Sequence, residues 1–234
     1  MSHSPVTSQW TDVSGPDGRF GAYLARPPAG QGPGLLLLQE IFGVNEHIRG
    51  VADQYALDGF VVLAPDLFWR QGHRIALGYE GADRERANAL KNALDTEQTW
   101  RDLQASLSTL QARPEHSGRT GALGYCLGGR LAFNAAASLG IDAAVAYYGG
   151  GIQDQLALAE QMRCPIQFHY GELDAHIPPT AVEAVRQAMA DADAEVHVYP
   201  GAGHGFNCWA RGSYHPASAA LAHGRSLAFL ATLF

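Results

Sequence analysis

Charge is scarce in this sequence: Asp, Glu, Lys and Arg make up 17% of its 234 residues, against roughly a quarter in an average globular chain. Basic residues are the rarer sign, Lys+Arg 16 against Asp+Glu 23, for a formal net charge of −7. A nucleic-acid partner is therefore not expected, because phosphate recognition needs a concentrated basic patch. Long hydrophobic runs are missing too. No stretch approaches the ~18 apolar residues of a membrane span, and the longest, 35–38 and 143–148, have the length of buried strands. Cysteine occurs only 3 times, and a chain of this length buries enough apolar surface to fold without disulfides. The opening Met1-Ser2-His3-Ser4-Pro5 lacks the basic-then-apolar pattern of a secretory leader. Free thiols in a reducing, cytoplasmic setting are expected.

What is abundant is apolar, at 47%, and it is arranged in a recurring way. Segments 9–14 and 19–26 read as strands joined across Gly15-Pro16-Asp17-Gly18, a hairpin turn. Near-continuous apolar runs follow at 34–39, 60–64, 119–125, 141–148, 165–170 and 195–199. Between and after them, 46–57, 83–113, 127–139, 179–190 and 217–230 carry helical spacing of apolar residues. The long 83–113 pattern is expected to break where Asp95-Thr96 offers an N-cap. Segment 68–81 has no period and reads as a surface loop. Buried strands alternating with helices predict one α/β domain, 1–234, with a mostly parallel sheet of about eight strands covered by helices on both faces.

The most informative segment is Gly124-Tyr125-Cys126-Leu127-Gly128-Gly129, at the expected junction of a strand and a helix. It is a nucleophile-elbow pattern with Cys in place of Ser, and its small flanking residues let backbones approach a sharp turn. Cys126 would stand at a helix N-terminus, where N–H groups favour a thiolate. The competing reading is a structural cysteine in a glycine-rich nucleotide loop. A dinucleotide fingerprint, however, needs its glycines after the first strand and an acid on the next. The elbow predicts an acid and then a histidine in later loops. Asp174, between Gly171 and Pro178, is the preferred acid and Glu172 its competitor. His204, in Gly203-His204-Gly205, follows the next strand. His197 falls in an expected strand and His176 beside the acid, while His47, His116, His215 and His223 fall on expected helices or surface turns.

Taken together, these segments resemble the dienelactone hydrolase family, a cysteine branch of the α/β-hydrolase fold. The resemblance rests on Gln39-Glu40-Ile41-Phe42-Gly43-Val44-Asn45, Pro65-Asp66-Leu67, the Gly124–Gly129 elbow, Tyr147-Tyr148-Gly149, Asp174 and Gly203-His204-Gly205-Phe206. It implies hydrolysis of a small lactone or related ester by Cys126, His204 and Asp174, without metal or organic cofactor; the sequence leaves the oligomeric state open, with a monomer favoured. Backbone N–H groups of Leu127 and Ile41 would form the oxyanion hole. Glu40 would hold the resting thiol and accept its proton, a role that burial would suit by raising its pKa; the plainer reading is a salt-bridged structural carboxylate. For a substrate carboxylate, the family places an Arg before the elbow, matched here by Arg84 with Arg86 as rival. It places a Ser–Arg set after the His, where this chain has Gly205 and Cys208. Arg211 could reach inward or be structural, and Trp69 and Trp209 could line the mouth or pack the core. A thioesterase or general carboxylesterase, and a non-catalytic scaffold, are the alternatives.

Overall fold

In the computed structural model, which describes residues 5–234, Pro16-Asp17 turns the chain through a tight hairpin between β1 (Thr7–Gly15) and β2 (Gly18–Arg26). Residues 1–4, part of the stretch read above for a leader, lie outside the described part. The remaining strands are β3 (Gly32–Leu38), β4 (Val61–Pro65), β5 (His116–Tyr125), β6 (Ala143–Tyr147), β7 (Ile166–Gly171) and β8 (Ala194–Tyr199). They form an eight-stranded sheet in the order β1-β2-β4-β3-β5-β6-β7-β8. The sheet is mostly parallel, with β1 and β2 running antiparallel as expected of the first pair. This is the α/β-hydrolase fold. Among the described residues no helix is long and apolar enough to cross a membrane.

The described chain divides into two compact units, one running to Thr120 and including Phe234, the other Gly121–Leu233. In the first, every residue of β3 and β4 is buried, which is why both read as unbroken apolar runs. Helix α1 (Glu46–Leu57) is capped by Asn45, whose side chain accepts from the Ile48 N–H at 3.2 Å. It buries Ile48, Val51, Ala52 and Tyr55, the spacing of one helical face. The expected break in the next pattern falls between α2 (Gly81–Asn92) and α3 (Thr96–Gln111), with the Asp95 carboxylate accepting from the Gln98 N–H at 2.8 Å. Trp69 stacks on Phe20 at 5.4 Å and donates from Nε1 to the buried Asp102 at 2.9 Å. It therefore belongs to the packing.

In the second unit, β5 leads into α4 (Leu127–Ser138), and β7 and β8 are linked through α5 (Pro179–Ala188). Helix α6 (Pro216–Leu230) follows β8. Two departures from the sequence reading have simple causes. β5 begins at His116 and not at 119, because Ser117, Gly118 and Arg119 are exposed and carry no apolar signal. Two short 3-10 helices, Ile152–Asp154 and Leu156–Gln161, have no apolar period long enough to announce them.

The tightest junction is β5 to α4. A Cβ on Gly124 would lie 2.0 Å from the Gly128 carbonyl oxygen, a backbone atom that cannot swing aside. Gly140, by contrast, has nothing within 4 Å of such a Cβ. Gly124→Ala should therefore lower stability in urea unfolding by about 1–3 kcal/mol or more, while Gly140→Ala should stay within about 0.5 kcal/mol of the parent. Equal, small effects would contradict this account of the junction.

Candidate active site

The second unit brings together three of the side chains singled out by sequence. Cys126 sits between β5 and α4 with φ 55 and ψ −111, a strained conformation for any residue with a Cβ. Its N–H donates to the Tyr147 carbonyl at 3.0 Å, so the elbow is pinned to the end of the neighbouring strand. The same approach leaves no room on the helix, where a Cβ on Gly129 would come 2.5 Å from that carbonyl oxygen. The thiol is half-buried. Leu127 opens α4, where the first N–H groups lack intrahelical acceptors.

Asp174 lies in the loop after β7 with its side chain fully shielded. Its two oxygens are used separately. Oδ1 accepts from the His176 N–H at 2.8 Å, which fixes the loop, and Oδ2 meets Nδ1 of His204 at 2.7 Å. Glu172, the alternative acid, is exposed and accepts from the Gly201 N–H at 2.9 Å. The loop after β8 carries His204 to Asp174, and the His204 side chain also hydrogen-bonds Cys126. Burial works against charge on this imidazole, but the hydrogen bonds and charges of Asp174 and Cys126 outweigh it and raise its pKa from 6.5 to about 10. The site thus joins a thiol, an imidazole whose pKa is raised, and a buried carboxylate. Such a set can deliver a thiolate to a carbonyl carbon and a proton to a departing oxygen.

The other histidines are placed elsewhere. His176 presents its ring edge-on to His204 at 5.0 Å and is exposed. His197 lies in β8 with Nε2 3.0 Å from Glu195. His215 caps α6, accepting from the Ser218 N–H at 3.3 Å. His116 is in β5 and not on a turn, with Nε2 2.9 Å from the Thr120 hydroxyl.

Glu40 and Ile41 belong to the first unit, in the segment just after β3. Glu40 is 1% exposed, and Gln39 braces this turn by donating to the Glu40 carbonyl at 3.3 Å and accepting from the Leu67 N–H at 3.2 Å. Arg84 and Arg86 are exposed on α2, whose buried residues are Ala87 and Leu90. In the second unit Arg211 is half-buried, and a Cβ on Gly205 would stand 2.3 Å from its Nη1. The guanidinium is therefore seated on the backbone beside His204. Trp209 is 46% exposed on the same loop.

Two features escaped the sequence reading. Tyr148 has φ 36 and places its ring 5.1 Å from that of His204; its only outward sign is the glycine run 149–151 that follows it. Beneath it, His169 is fully buried and burial holds its pKa well below 6.5. Its Nε2 meets the Gln167 amide oxygen at 2.7 Å and the Ser226 hydroxyl at 3.0 Å, and its Nδ1 meets the Tyr199 hydroxyl at 2.7 Å. A neutral ring facing an amide oxygen carries its proton on Nε2 and accepts at Nδ1.

The model of the dienelactone hydrolase family matches residues 20–234. A carboxymethylenebutenolidase of Pseudomonas putida is 37% identical over 216 residues, covering 92% of this chain and 92% of its own. Carboxymethylenebutenolidase 1 of Cupriavidus pinatubonensis is 34% identical over 218 residues, covering 92% and 93%. Among solved structures, a chain from Klebsiella pneumoniae superposes with a TM-score of 0.87 at 34% identity, over 97% of this chain and 98% of that one. An esterase of Pyrococcus furiosus shares the fold with a TM-score of 0.74 at 15% identity, over 100% and 96%. A family model that spans all but the first strand, and relatives matched along nearly their whole length, lead to one conclusion: the chain belongs to the dienelactone hydrolase family and is a carboxylic ester hydrolase.

Proposed function

We propose that this enzyme opens a lactone or related carboxylic ester through an acyl-cysteine on Cys126, with His204 and Asp174 completing a catalytic triad and no cofactor taking part. The observation that carries the reading is the His204 ring, bound to Asp174 at 2.7 Å and hydrogen-bonded to the Cys126 thiol. The Cys126 thiolate attacks the carbonyl carbon, and the carbonyl π pair moves onto oxygen. The N–H of Leu127 and the N–H of Ile41 receive that oxyanion. On collapse the carbon–oxygen bond breaks and His204 gives its proton to the alkoxide, which in a lactone stays tethered to the acyl group. Neutral His204 then takes a proton from water, hydroxide attacks the thioester, and the thiolate leaves. Glu40, 1% exposed just after β3, is the carboxylate proposed to accept the thiol proton. One domain, 1–234, in the cytoplasm carries the reaction.

The absence of a Ser–Arg set at Gly205 and Cys208 favours an ester other than the dienelactone itself. Arg211, seated beside His204, and Arg84 are the arginines proposed to meet a substrate carboxylate, since a guanidinium pairs with it through two hydrogen bonds.

A panel of lactones, aryl esters and acyl thioesters, each as free acid and methyl ester, tests this with mass-spectrometric trapping. The acyl group should be found on Cys126, and Cys126→Ala should lower kcat/KM on the order of 10³-fold or more. Full activity in that variant ends the hypothesis. In the same assay Glu40→Gln should slow single-turnover acylation while the thermal midpoint stays put, and Arg84→Ala or Arg211→Ala should raise KM for the acids more than for the methyl esters.

The His204–Asp174 pair also predicts a pH dependence of stability. His204 binds its proton more tightly folded than unfolded, so the pair's contribution is fully present below about pH 6.5 and is lost as pH rises to about 10. The gap in thermal midpoint between the parent and His204→Gln should therefore shrink steadily from pH 6 to pH 10. A gap that widens over that range would refute the ion pair.

A further inference from the structure

We infer that Tyr148 is a positioning residue for the proposed catalytic histidine, its ring holding the His204 imidazole in the orientation that serves Cys126. The inference rests on the acyl-cysteine reading above and adds a residue to it. It starts from a backbone anomaly. Among the described residues only three other than glycine have positive φ, and two of them, Cys126 at 55 and Tyr148 at 36, stand side by side. Tyr125 and Tyr147 are register partners on β5 and β6, so Cys126 and Tyr148 are the next residues out on neighbouring strands. Each is tied to the following strand in turn. The Cys126 N–H donates to the Tyr147 carbonyl at 3.0 Å, and the Tyr148 N–H donates to the His169 carbonyl at 2.7 Å.

The sharp turn at 148 has a backbone purpose, because it presses Gly149 onto the start of α4. A Cβ on Gly149 would meet the Arg130 nitrogen and the Gly129 carbonyl carbon, both at 2.9 Å. That need would be met at no conformational strain by glycine at 148, and three glycines follow at once. A tyrosine held at φ 36 costs on the order of 1–3 kcal/mol. The ring is what glycine would lack. It is fully buried and stands edge-to-face to His204 at 5.1 Å with an interplanar angle of 61°. It stands likewise to Phe206, on the same loop as His204, at 5.5 Å and 71°. Asp174 and Cys126 hold the His204 ring by hydrogen bonds at its edge but leave it free to tilt about the line between them, where its other ring neighbour, His176, is exposed. An aromatic wall against the imidazole closes that freedom. Below it, His169 is itself locked at both ring nitrogens, so the strand end that carries Tyr148 has a rigid seat.

The test compares Tyr148→Phe, Tyr148→Leu and Tyr148→Gly in steady-state kinetics on an ester that acylates Cys126. A mispositioned imidazole affects the chemical steps and spares binding, so Leu and Gly should lower kcat on the order of 10–100-fold with KM within about threefold, while Phe, which keeps the ring, should stay within about threefold of the parent. If Leu does not fold, Gly carries the comparison, since its backbone is at ease at positive φ. The inference is overturned if Leu or Gly folds and keeps kcat within about threefold, or if Phe falls as far as Leu. Cys126→Ala separates the two levels. Activity there ends the acyl-cysteine reading, whereas an inactive Cys126→Ala beside a fully active Tyr148→Leu overturns only the role of the ring.

Discussion

Where β5 gives way to α4, the backbone comes so close to itself and to the end of β6 that side chains are shut out. Gly124 faces the Gly128 carbonyl, Gly129 faces the Tyr147 carbonyl, and Gly149 faces the first turn of the helix. That crowding is the constraint on which the site rests. It forces the chain to turn sharply at Cys126, and the turn lifts the thiol clear of the sheet at the head of a helix. The strain at Cys126 and Tyr148 is sustained because parallel strands on both sides overdetermine the path, with ladder hydrogen bonds running unbroken from β5 through β8.

Polar groups inside the second unit follow two contrasting solutions to burial. At His204, a carboxylate and a thiol make the charged imidazole the favoured form. At His169, no such partner is supplied, and the ring stays neutral among a hydroxyl, an amide and a serine. The Ser226 hydroxyl extends that network to Tyr147 at 2.8 Å, the residue whose carbonyl holds the elbow. A charged imidazole in the loop after β8 and a neutral one within β7 thus sit in the same unit. Neither works without its own set of hydrogen bonds, since a buried polar group left unmatched is destabilising.

Much of this was legible in the residues. Buried parallel strands announce themselves as apolar runs, and a side chain such as Asp95 marks where one helical pattern must become two. The elbow was legible for a steric reason, because only glycine tolerates the contacts at 124 and 129. The order of strand ends then led to Asp174 and His204. What could not be read depended on tertiary contacts. Ser117–Arg119 is exposed within β5 and carries no apolar signal, and the 3-10 helices after β6 lack a period. Tyr148 was quoted for its resemblance but not for its role, because a tyrosine at positive φ looks like any other tyrosine in sequence. Asp174 and Glu172 likewise differ only in their tertiary contacts, Asp174 meeting His204 while the Glu172 carboxylate accepts from the Gly201 N–H.

The seat of Arg211 on Gly205 carries an evolutionary consequence. Space that a Cβ at 205 would take is occupied by the Arg211 guanidinium, whose Nη1 would stand 2.3 Å from it, so a side chain at 205 bears on the position of the arginine. A side chain at 205 would have to displace the far end of a flexible arginine and would also sit at φ 76, where residues with a Cβ are strained. Change at 205 is thus held back by its backbone more than by the arginine, whereas the elbow glycines 124 and 129 face backbone atoms that cannot swing aside.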